Sequence, residues 1–265
     1  MSSLEKTMVL NNRQVGSELF VMELSAPAMA GKCQPGQFLH IKPGGGDDPL
    51  LRRPLSIYDV VAGSGRISLL YRVVGKGTGL LTRVKVNDHV DVMGPLGRGF
   101  TLPDQPENIL LVGGGVGIAP LLYLGRVLQE KQCQVTVMCG AATAGQIVAG
   151  ERFQDLGISF MSATMDGSAG LKGLVTDLLN SDEAPTGIER VYTCGPEPMM
   201  AAVAEWAGAH NVWGEVSLEE HMACGVGACL GCARKLKSDD DGYVKVCKDG
   251  PVFNINQVEL NKNQG

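Results

Sequence analysis

The sequence lacks a net positive charge and a long apolar segment. Its 265 residues carry a formal net charge of −5, which provides no basic surface for nucleic acid or anionic membrane, so we expect neither as a partner. The uncharged residues 109–125 include three consecutive glycines and Pro120, and they fall short of the ~20 apolar residues of a transmembrane helix. With 44% apolar and 19% charged residues, the composition is that of a soluble globular protein.

The N-terminal residues also lack a secretory signal. The segment MSSLEKTMVLNNRQ contains Glu5 and has no apolar run of signal-peptide length, so we expect a cytoplasmic protein with reduced thiols. Four of the eight cysteines are scattered singly along the chain, and we expect them to be buried apolar residues: Cys33, Cys133, Cys139 and Cys194.

Three regions follow one another along the chain, which is long enough for two domains and a small third module. Residues 1–103 contain short β segments separated by turn formers, which is typical of an antiparallel barrel or sandwich. One short helix is predicted there, with Thr78 as its N-cap. Residues 104–213 alternate strands with helices, which indicates a doubly wound parallel sheet. Residues 214–265 are rich in cysteine and glycine, with two short β candidates joined by an acidic turn at 239–242.

The remaining cysteines form a constellation in the third region: Cys224, Cys229, Cys232 and Cys247. Their spacing, C-x4-C-x2-C-x14-C, matches the plant-type [2Fe-2S] ligand pattern with a shorter final gap. Three glycines would let the loop bend around a cluster and bring N–H groups to the sulfurs: Gly225, Gly227 and Gly231. Structural zinc and disulfides stay open as alternatives, although the spacing favours the iron–sulfur cluster over zinc, which normally uses two separate C-x2-C-like pairs.

Two turns of the second region have features of a dinucleotide site. GGGVGIAP follows a predicted strand and opens a predicted helix, so a phosphate could approach its backbone N–H groups. CGPEPMM ends a later strand of the same sheet, where ligands of doubly wound folds bind. The candidate ligands are Gly113, Gly114, Gly115, Gly117, Cys194, Gly195 and Pro196. Such glycines can also serve only the close packing of a strand and a helix, and the spacing departs from G-x-G-x-x-G.

The second region also bears on the choice between NAD and NADP. Residues 140–146, GAATAGQ, follow its second strand and contain no arginine or lysine to meet a 2′-phosphate. Asp166 follows the third strand, where an acid suits the free ribose hydroxyl of NAD. The prediction is therefore NAD, with Arg152 as the nearby cation that could oppose it.

The first region offers phosphate ligands of its own. Arg53 could clamp a phosphate with two hydrogen bonds, and the Gly75-x-Gly77-Thr78 segment offers backbone donors to a pyrophosphate. Taken alone, these residues are equally those of a basic edge strand and an ordinary turn.

The motifs RRPLS, GKGT, GGGVGIAP, CGPEPMM, EEHMACGVGACLGC and CKDGPVF occur in this order along nearly the whole chain. In this order they resemble the ferredoxin reductase superfamily with an appended cluster domain. More narrowly, the chain resembles the electron transfer subunits of class 1B, NAD-dependent dihydroorotate dehydrogenases. The C-terminal motifs are highly specific, whereas single glycine turns are not. Two positions depart from the pattern, because Leu55 replaces a tyrosine common in the superfamily and His221 replaces an expected arginine.

The resemblance implies an FAD-binding β-barrel (1–103), an NAD-binding α/β domain (104–213) and a [2Fe-2S] domain (214–265). It implies that the flavin is lined by Arg53, Pro54, Leu55, Ser56, Leu70, Tyr71 and Arg72. It also implies that the flavin pyrophosphate is held by Gly77 and Thr78, and the cluster by the four cysteines of the third region. Hydrophobic residues beside the cluster would meet a partner or pack inside the small domain: Val226, Leu230, Val252 and Phe253.

The implied function is electron transfer in de novo pyrimidine biosynthesis. Electrons would pass from an FMN-containing dihydroorotate dehydrogenase subunit through the cluster and FAD to NAD+, in a heterotetramer with two copies of each chain. FAD is needed because nicotinamide exchanges a hydride whereas the cluster takes one electron at a time. No acid–base residue of this chain is expected to be essential. The alternatives are a reductase subunit of a hydrogenase or NAD(P) transhydrogenase, and a metal-stabilised binding module without activity.

Overall fold

The structure, a computed structural model, describes residues 2–46, 48–237 and 242–261. Its first part is a closed antiparallel barrel with the strand order β1-β2-β5-β4-β3-β6. The barrel strands are β1 (Ser3–Gly16), β2 (Leu19–Ser25), β3 (Phe38–Ile41), β4 (Arg53–Val61), β5 (Arg66–Arg72) and β6 (His89–Leu96), and the short helices are α1 (Pro27–Ala30) and α2 (Lys76–Leu81). A barrel rather than a sandwich forms because β1 pairs with both β2 and β6.

The alternation of buried residues explains how the barrel strands face its core. Along β6, Val90 and Val92 are buried, whereas His89 is exposed and Asp91 is partly exposed. Successive side chains of a strand point to opposite faces, so this alternation fixes the register of β6 against β1 and β3.

The helix predicted near Thr78 is present, but its start differs. Helix α2 begins at Lys76 with Gly75 as its N-cap, so the prediction of Thr78 as N-cap was wrong. Thr78 lies inside the helix, where its hydroxyl accepts a hydrogen bond from the Val74 N–H (3.0 Å) and donates one to the Gly75 carbonyl (3.2 Å). This local bonding stabilises the turn that precedes the helix.

The second part is a seven-stranded sheet with the order β10-β9-β8-β7-β11-β12-β15, in which β15 is Val252–Asn254. Its parallel strands are β7 (Asn108–Gly114), β8 (Gln134–Ala141), β9 (Ser159–Thr164), β10 (Leu171–Lys172), β11 (Arg190–Cys194) and β12 (Trp213–Ser217). Its helices are α3 (Ala119–Glu130), α4 (Gly150–Asp155), α5 (Val175–Leu179) and α6 (Glu197–Ala209). None of the helices within the described residues is long and apolar enough to cross a bilayer.

The cysteine segment contributes to this sheet as well as forming its own hairpin. Its elements are β13 (Ala233–Lys235), β14 (Tyr243–Lys245), α7 (Val246–Asp249) and β15 (Val252–Asn254). Strand β15 pairs antiparallel with β12, so the segment is anchored to the edge of the parallel sheet. Of the acidic turn predicted at 239–242, residues 239–241 lie outside the described part of the chain.

The three regions are joined by packing and by charge. Phe100, at the end of the barrel region, meets Tyr192 of β11 edge to face, with ring centroids 5.2 Å apart. Buried Asp59 of β4 accepts hydrogen bonds from Arg126 Nε of α3 (3.0 Å) and from an Arg152 terminal nitrogen of α4 (2.8 Å). Strand β12 begins at Trp213 and pairs with β15, so the sheet continues across residue 213. The domain boundaries after 103 and 213 stay predictions.

Candidate functional site

A cleft of about 1080 Å³ lies where the barrel, the parallel sheet and the cysteine segment meet. All residues predicted to bind the flavin line it: Arg53, Pro54, Leu55, Ser56, Leu70, Tyr71, Arg72, Gly77 and Thr78. The lining also includes Val116 from the turn after β7, Ala119 at the start of α3 and Gly231 from the cysteine loop. The fold therefore brings together residues that are far apart in the sequence.

Arg53 and Gly77 form the positively charged corner of this cleft. An Arg53 terminal nitrogen donates to the Leu51 carbonyl (2.7 Å), and a side chain at Gly77 would collide with the guanidinium. Within the described residues, the guanidinium of Arg53 bonds only to backbone carbonyls, whereas Arg52 pairs with Asp91 (3.0 Å) and Arg72 with Glu18 (3.2 Å). Arg53 is thus the arginine whose charge is free to meet a phosphate.

Tyr71 contributes differently from its neighbours because its side chain belongs to the barrel. Its ring stacks against Phe20 with centroids 5.7 Å apart, and its hydroxyl donates to Asn12 Oδ1 (3.0 Å). Burial raises the pKa of Tyr71 to about 12. The tyrosine therefore stays neutral, and its buried side chain packs in the barrel core beside the cleft.

The four clustered cysteines lie in two pairs. Cys224 and Cys229 hydrogen-bond to each other, and Cys247 does so with Cys232. Cys232 and Cys247 are buried, Cys224 is half-buried and Cys229 is exposed. Within the part of the chain that the structure describes, no group of three or more His, Cys, Asp or Glu side chains is arranged to hold a metal ion. Two thiol pairs nevertheless suit a core with two irons, because each iron can take two thiolates.

Backbone N–H groups of the loop already point at the sulfurs. The N–H groups of Val226 and Ala228 donate to Cys224 Sγ (3.5 and 3.2 Å), and the Gly227 N–H donates to Cys247 Sγ (3.1 Å). Burial raises the pKa of Cys224, but the hydrogen bonds to its sulfur outweigh burial and lower that pKa overall. Donors of this kind stabilise thiolates and surround metal-bound sulfur. The donor set therefore fits an iron–sulfur cluster.

Positive φ angles shape the cysteine loop. Gly225 and Gly227 have φ of 70° and 80°, as their position between ligands suggested, and Leu230 rather than Gly231 provides the next positive angle (61°). A side chain at Gly225 would start only 2.6 Å from the buried imidazole of His40. The loop thus packs directly on barrel strand β3, which the sequence did not indicate.

The glycine turns of the parallel sheet pack mainly against each other. A side chain at Gly117 would collide with the Cys194 backbone, and one at Gly114 would start 2.6 Å from Pro196 Cδ. Gly195 (φ 152°) lies against Gly114 in turn. Gly115 (φ 55°) faces open space, so among these glycines it is the one that a phosphate could still approach. Close packing therefore accounts for much of this motif.

The other predicted nucleotide residues divide between buried and accessible positions. Gly113 lies against Ile118, and Cys194 is 1% exposed, with its pKa raised well above the usual value by burial. Cys33, Cys133 and Cys139 are buried as well, which confirms the expectation for all four single cysteines. Gly195 and Pro196, by contrast, line a second cavity next to the cleft.

Comparison with known proteins accounts for most of the chain. Residues 7–100 match the oxidoreductase FAD-binding domain, 111–205 the oxidoreductase NAD-binding domain, and 219–259 the iron–sulfur cluster binding domain of dihydroorotate dehydrogenase B. A Desulforamulus reducens protein named dihydroorotate dehydrogenase B (NAD(+)), electron transfer subunit, is 42% identical to this chain. The alignment covers 97% of this chain and 99% of that protein. The relative of that name from Geobacillus thermodenitrificans is 40% identical, and the alignment covers 98% of this chain and 100% of the relative.

The chain belongs to this family of electron transfer subunits. Among solved structures, one described as an NADH-dependent reduced ferredoxin-NADP oxidoreductase superposes with a TM-score of 0.86 at 30% identity, covering 96% of this chain and 90% of the other. Family membership confirms the resemblance, the three-part fold and the set of FAD, NAD and iron–sulfur modules that the sequence predicted.

For a family member with an FAD-binding domain, the Arg53–Gly77 contact makes a specific prediction. Gly77→Ala should weaken FAD binding roughly tenfold or more in Kd, because a methyl group would displace the guanidinium and a charge-assisted hydrogen bond contributes ~1.5–3 kcal/mol. The matched control is Gly79→Ala in the same helix, where a side chain meets open space. Titration of the two deflavinated variants with FAD, followed by flavin fluorescence, measures the Kd of FAD for each. Equal Kd values for the two variants would contradict the role of Arg53.

Sequence reasoning missed several residues of this site. Glu219 and His221 line the large cleft, and Glu197 and Arg234 line both cavities. Leu218 and Glu219 follow β12 directly, so recognition of 213–217 as a strand of the parallel sheet would have pointed to them. No local signal marks Arg234, because only the folded hairpin brings it to the cleft.

Proposed function

We propose that the chain carries electrons from dihydroorotate, oxidised in a separate catalytic subunit, to NAD+. One observation carries this proposal: a single cleft is lined by every predicted flavin residue, by the turn after β7 and by the cysteine loop. Nicotinamide, flavin and iron–sulfur chemistry therefore have adjoining places in one chain. The decisive experiment is reconstitution with the catalytic subunit, in which only the pair should form NADH from dihydroorotate.

The residues of this chain have distinct roles in the proposal. Arg53, Gly77 and Thr78 would hold the FAD phosphates, and the four loop cysteines would ligate the cluster. When bound, FAD exchanges a hydride with nicotinamide and single electrons with an iron–sulfur centre. The protein positions these groups and excludes water, and it provides hydrogen bonds to the sulfurs that set the potential.

The partner in this proposal is an FMN-containing subunit, in a cytoplasmic heterotetramer with two copies of each chain. Val226 and Leu230, beside the ligands, are 50% and 61% exposed, and Cys229 is exposed between them. Val252 and Phe253 are 6% and 4% exposed, so they pack inside. Of the four apolar residues considered, the first two are therefore those proposed to contact the partner.

The dinucleotide is proposed to be NAD. Arg152, the nearby cation, is held by Asp59 (2.8 Å) and so is not available to a 2′-phosphate. Asp166 accepts hydrogen bonds from the Ser168 N–H (3.0 Å) and hydroxyl (2.6 Å), which lower its pKa and keep this exposed carboxylate ionised. A carboxylate here would repel the extra phosphate of NADP.

We therefore expect kcat/KM with an artificial acceptor to be at least roughly tenfold higher for NADH than for NADPH. Asp166→Asn should narrow this preference without changing FAD content, because it removes the repelling charge and keeps the size of the side chain. Equal kcat/KM values for the two dinucleotides in the wild type would contradict the proposal. Lys172, whose stem packs beside Gly167, would then be the candidate phosphate ligand.

A further inference from the structure

A second cavity of about 230 Å³ adjoins the large cleft at the carboxyl ends of β11 and β12. It is lined by Gly195, Pro196, Glu197, Met200, Leu218, Glu219 and Arg234, and four of these residues also line the cleft: Glu197, Leu218, Glu219 and Arg234. The cavity is thus continuous with the space assigned to the flavin, and a ligand could extend from one to the other.

The chemistry of the proposed function indicates what this cavity receives. Hydride exchange requires the nicotinamide ring to lie against the flavin with the reacting atoms ~3–3.5 Å apart. Ligands of open parallel sheets bind at the carboxyl ends of the strands. The cavity adjoins the cleft assigned to the flavin and lies at these strand ends, which makes it the candidate place for the nicotinamide half of the dinucleotide.

Arg234 reaches this cavity from the cysteine segment. Its guanidinium pairs with Glu197, the first residue of α6, and with Glu220 Oε1 at 2.9 Å. Two further hydrogen bonds go to the Glu259 carbonyl (3.1 and 3.2 Å). The side chain is only 14% exposed. A single guanidinium therefore fastens the start of α6, the chain after β12 and the C-terminal segment together.

The charges of the cavity make this contact important. Glu197 and Glu219 line it, and Glu220 stands beside it in the cleft. Burial raises the pKa of both Glu219 and Glu220. Among the described residues lining the smaller cavity, Arg234 is the sole cation. Without it, Glu197 would keep the Asn261 N–H (2.8 Å) but lose its cation, as would Glu220, at a site that must accept an anionic dinucleotide.

We propose that Arg234 of the cysteine segment completes the nicotinamide half-site as a positioning residue. It holds Glu197, and with it the Gly195–Pro196 turn, in place, and it neutralises the acidic wall. The nicotinamide pocket thus depends on the segment that carries the cluster ligands. This inference rests on the proposed function, because it assumes that the dinucleotide reacts with a flavin in the cleft.

The test compares two ligands in protein that retains its FAD and cluster. Isothermal titration calorimetry without dihydroorotate gives the Kd of NAD+ and of ADP-ribose, which lacks the nicotinamide. Arg234→Gln should raise the Kd of NAD+ roughly tenfold and change that of ADP-ribose by less than about twofold. Arg234→Lys should restore part of the NAD+ affinity, because an ammonium keeps the charge but not the fork that reaches two carboxylates.

Arg190→Gln is the matched control. Arg190 pairs with Glu107 (2.7 Å) and lies over the Trp213 ring (4.3 Å), but at the amino end of β11. Its loss should leave both Kd values unchanged. The inference is overturned if Arg234→Gln binds NAD+ as the wild type does, or weakens NAD+ and ADP-ribose equally. A wild type that binds neither ligand would instead refute the proposed function.

Discussion

The chain and an FMN-containing dihydroorotate dehydrogenase subunit are expected to oxidise dihydroorotate with NAD+ only when they are combined. The FAD, NAD and iron–sulfur modules match residues 7–100, 111–205 and 219–259, so the sequence is occupied by electron carriers. We therefore expect oxidation of the organic acid to take place in another chain. Because Cys229, Val226 and Leu230 are exposed on one loop, we expect electrons to cross between the subunits there.

Coexpression and copurification, followed by the absorbance of newly formed NADH, measure this result. The expected change is from no detectable NADH with either chain alone to steady formation by the complex. The control is an artificial acceptor, which the isolated chain should reduce with NADH because its own FAD suffices. Full activity of this chain unaided would contradict the assignment. A reconstituted pair that leaves NAD+ untouched, with both flavins and the cluster present, would favour the hydrogenase or transhydrogenase module.

Cys229→Ser is expected to remove the iron–sulfur cluster and to leave the FAD bound. Wild-type protein prepared without oxygen should contain about two irons and two acid-labile sulfides per chain, since four thiolates hold a [2Fe-2S] core. Cys229 is exposed and hydrogen-bonds to Cys224, so its replacement removes a proposed ligand and changes no buried packing. The flavin residues lie on barrel strands and α2, which the change does not touch.

Iron and sulfide analysis, together with the visible spectrum, measures this loss, and NAD+-dependent activity of the complex should disappear with the cluster. NADH oxidation by an artificial acceptor should persist, because it needs only FAD. The matched control is Cys133→Ala, a buried single cysteine whose loss should leave the cluster intact. Stoichiometric zinc without sulfide in the wild type, or an unchanged cluster in Cys229→Ser, would contradict the ligand assignment.

Much of the fold follows from local patterns in the chain. As predicted, residues 1–103 form short barrel strands, residues 104–213 alternate strands with helices, and two short strands, β13 and β14, follow in 214–265. The long β1 (Ser3–Gly16) was not predicted as a strand, because only Thr7 and Val9 of its residues are buried and its pairing with β6 joins segments distant in the sequence. Strand β12 (Trp213–Ser217) was missed because it lies next to the glycine- and cysteine-rich texture that follows.

The sequence by itself determined the chemistry of the cofactor modules. The C-x4-C-x2-C spacing and the RRPLS and GKGT motifs are local, and short-range geometry is enough to make a sulfur loop or a phosphate turn. Local motifs did not determine how exposed each cysteine of the loop is. They also did not determine which apolar residues stay on the surface. Val226 and Val252 are equally apolar, yet one is 50% exposed and the other 6%.

Only the tertiary structure decided how the modules form one site. Strand β15 joins the sheet beside β12, and this antiparallel pairing carries the cysteine segment against the cleft. Arg234 then meets Glu197, a residue 37 positions earlier in the sequence, in a contact that no local pattern encodes. The packing of Gly117 on Cys194 is equally remote in sequence. Such contacts depend on the summed packing of the whole chain, so they appear only once the chain is folded.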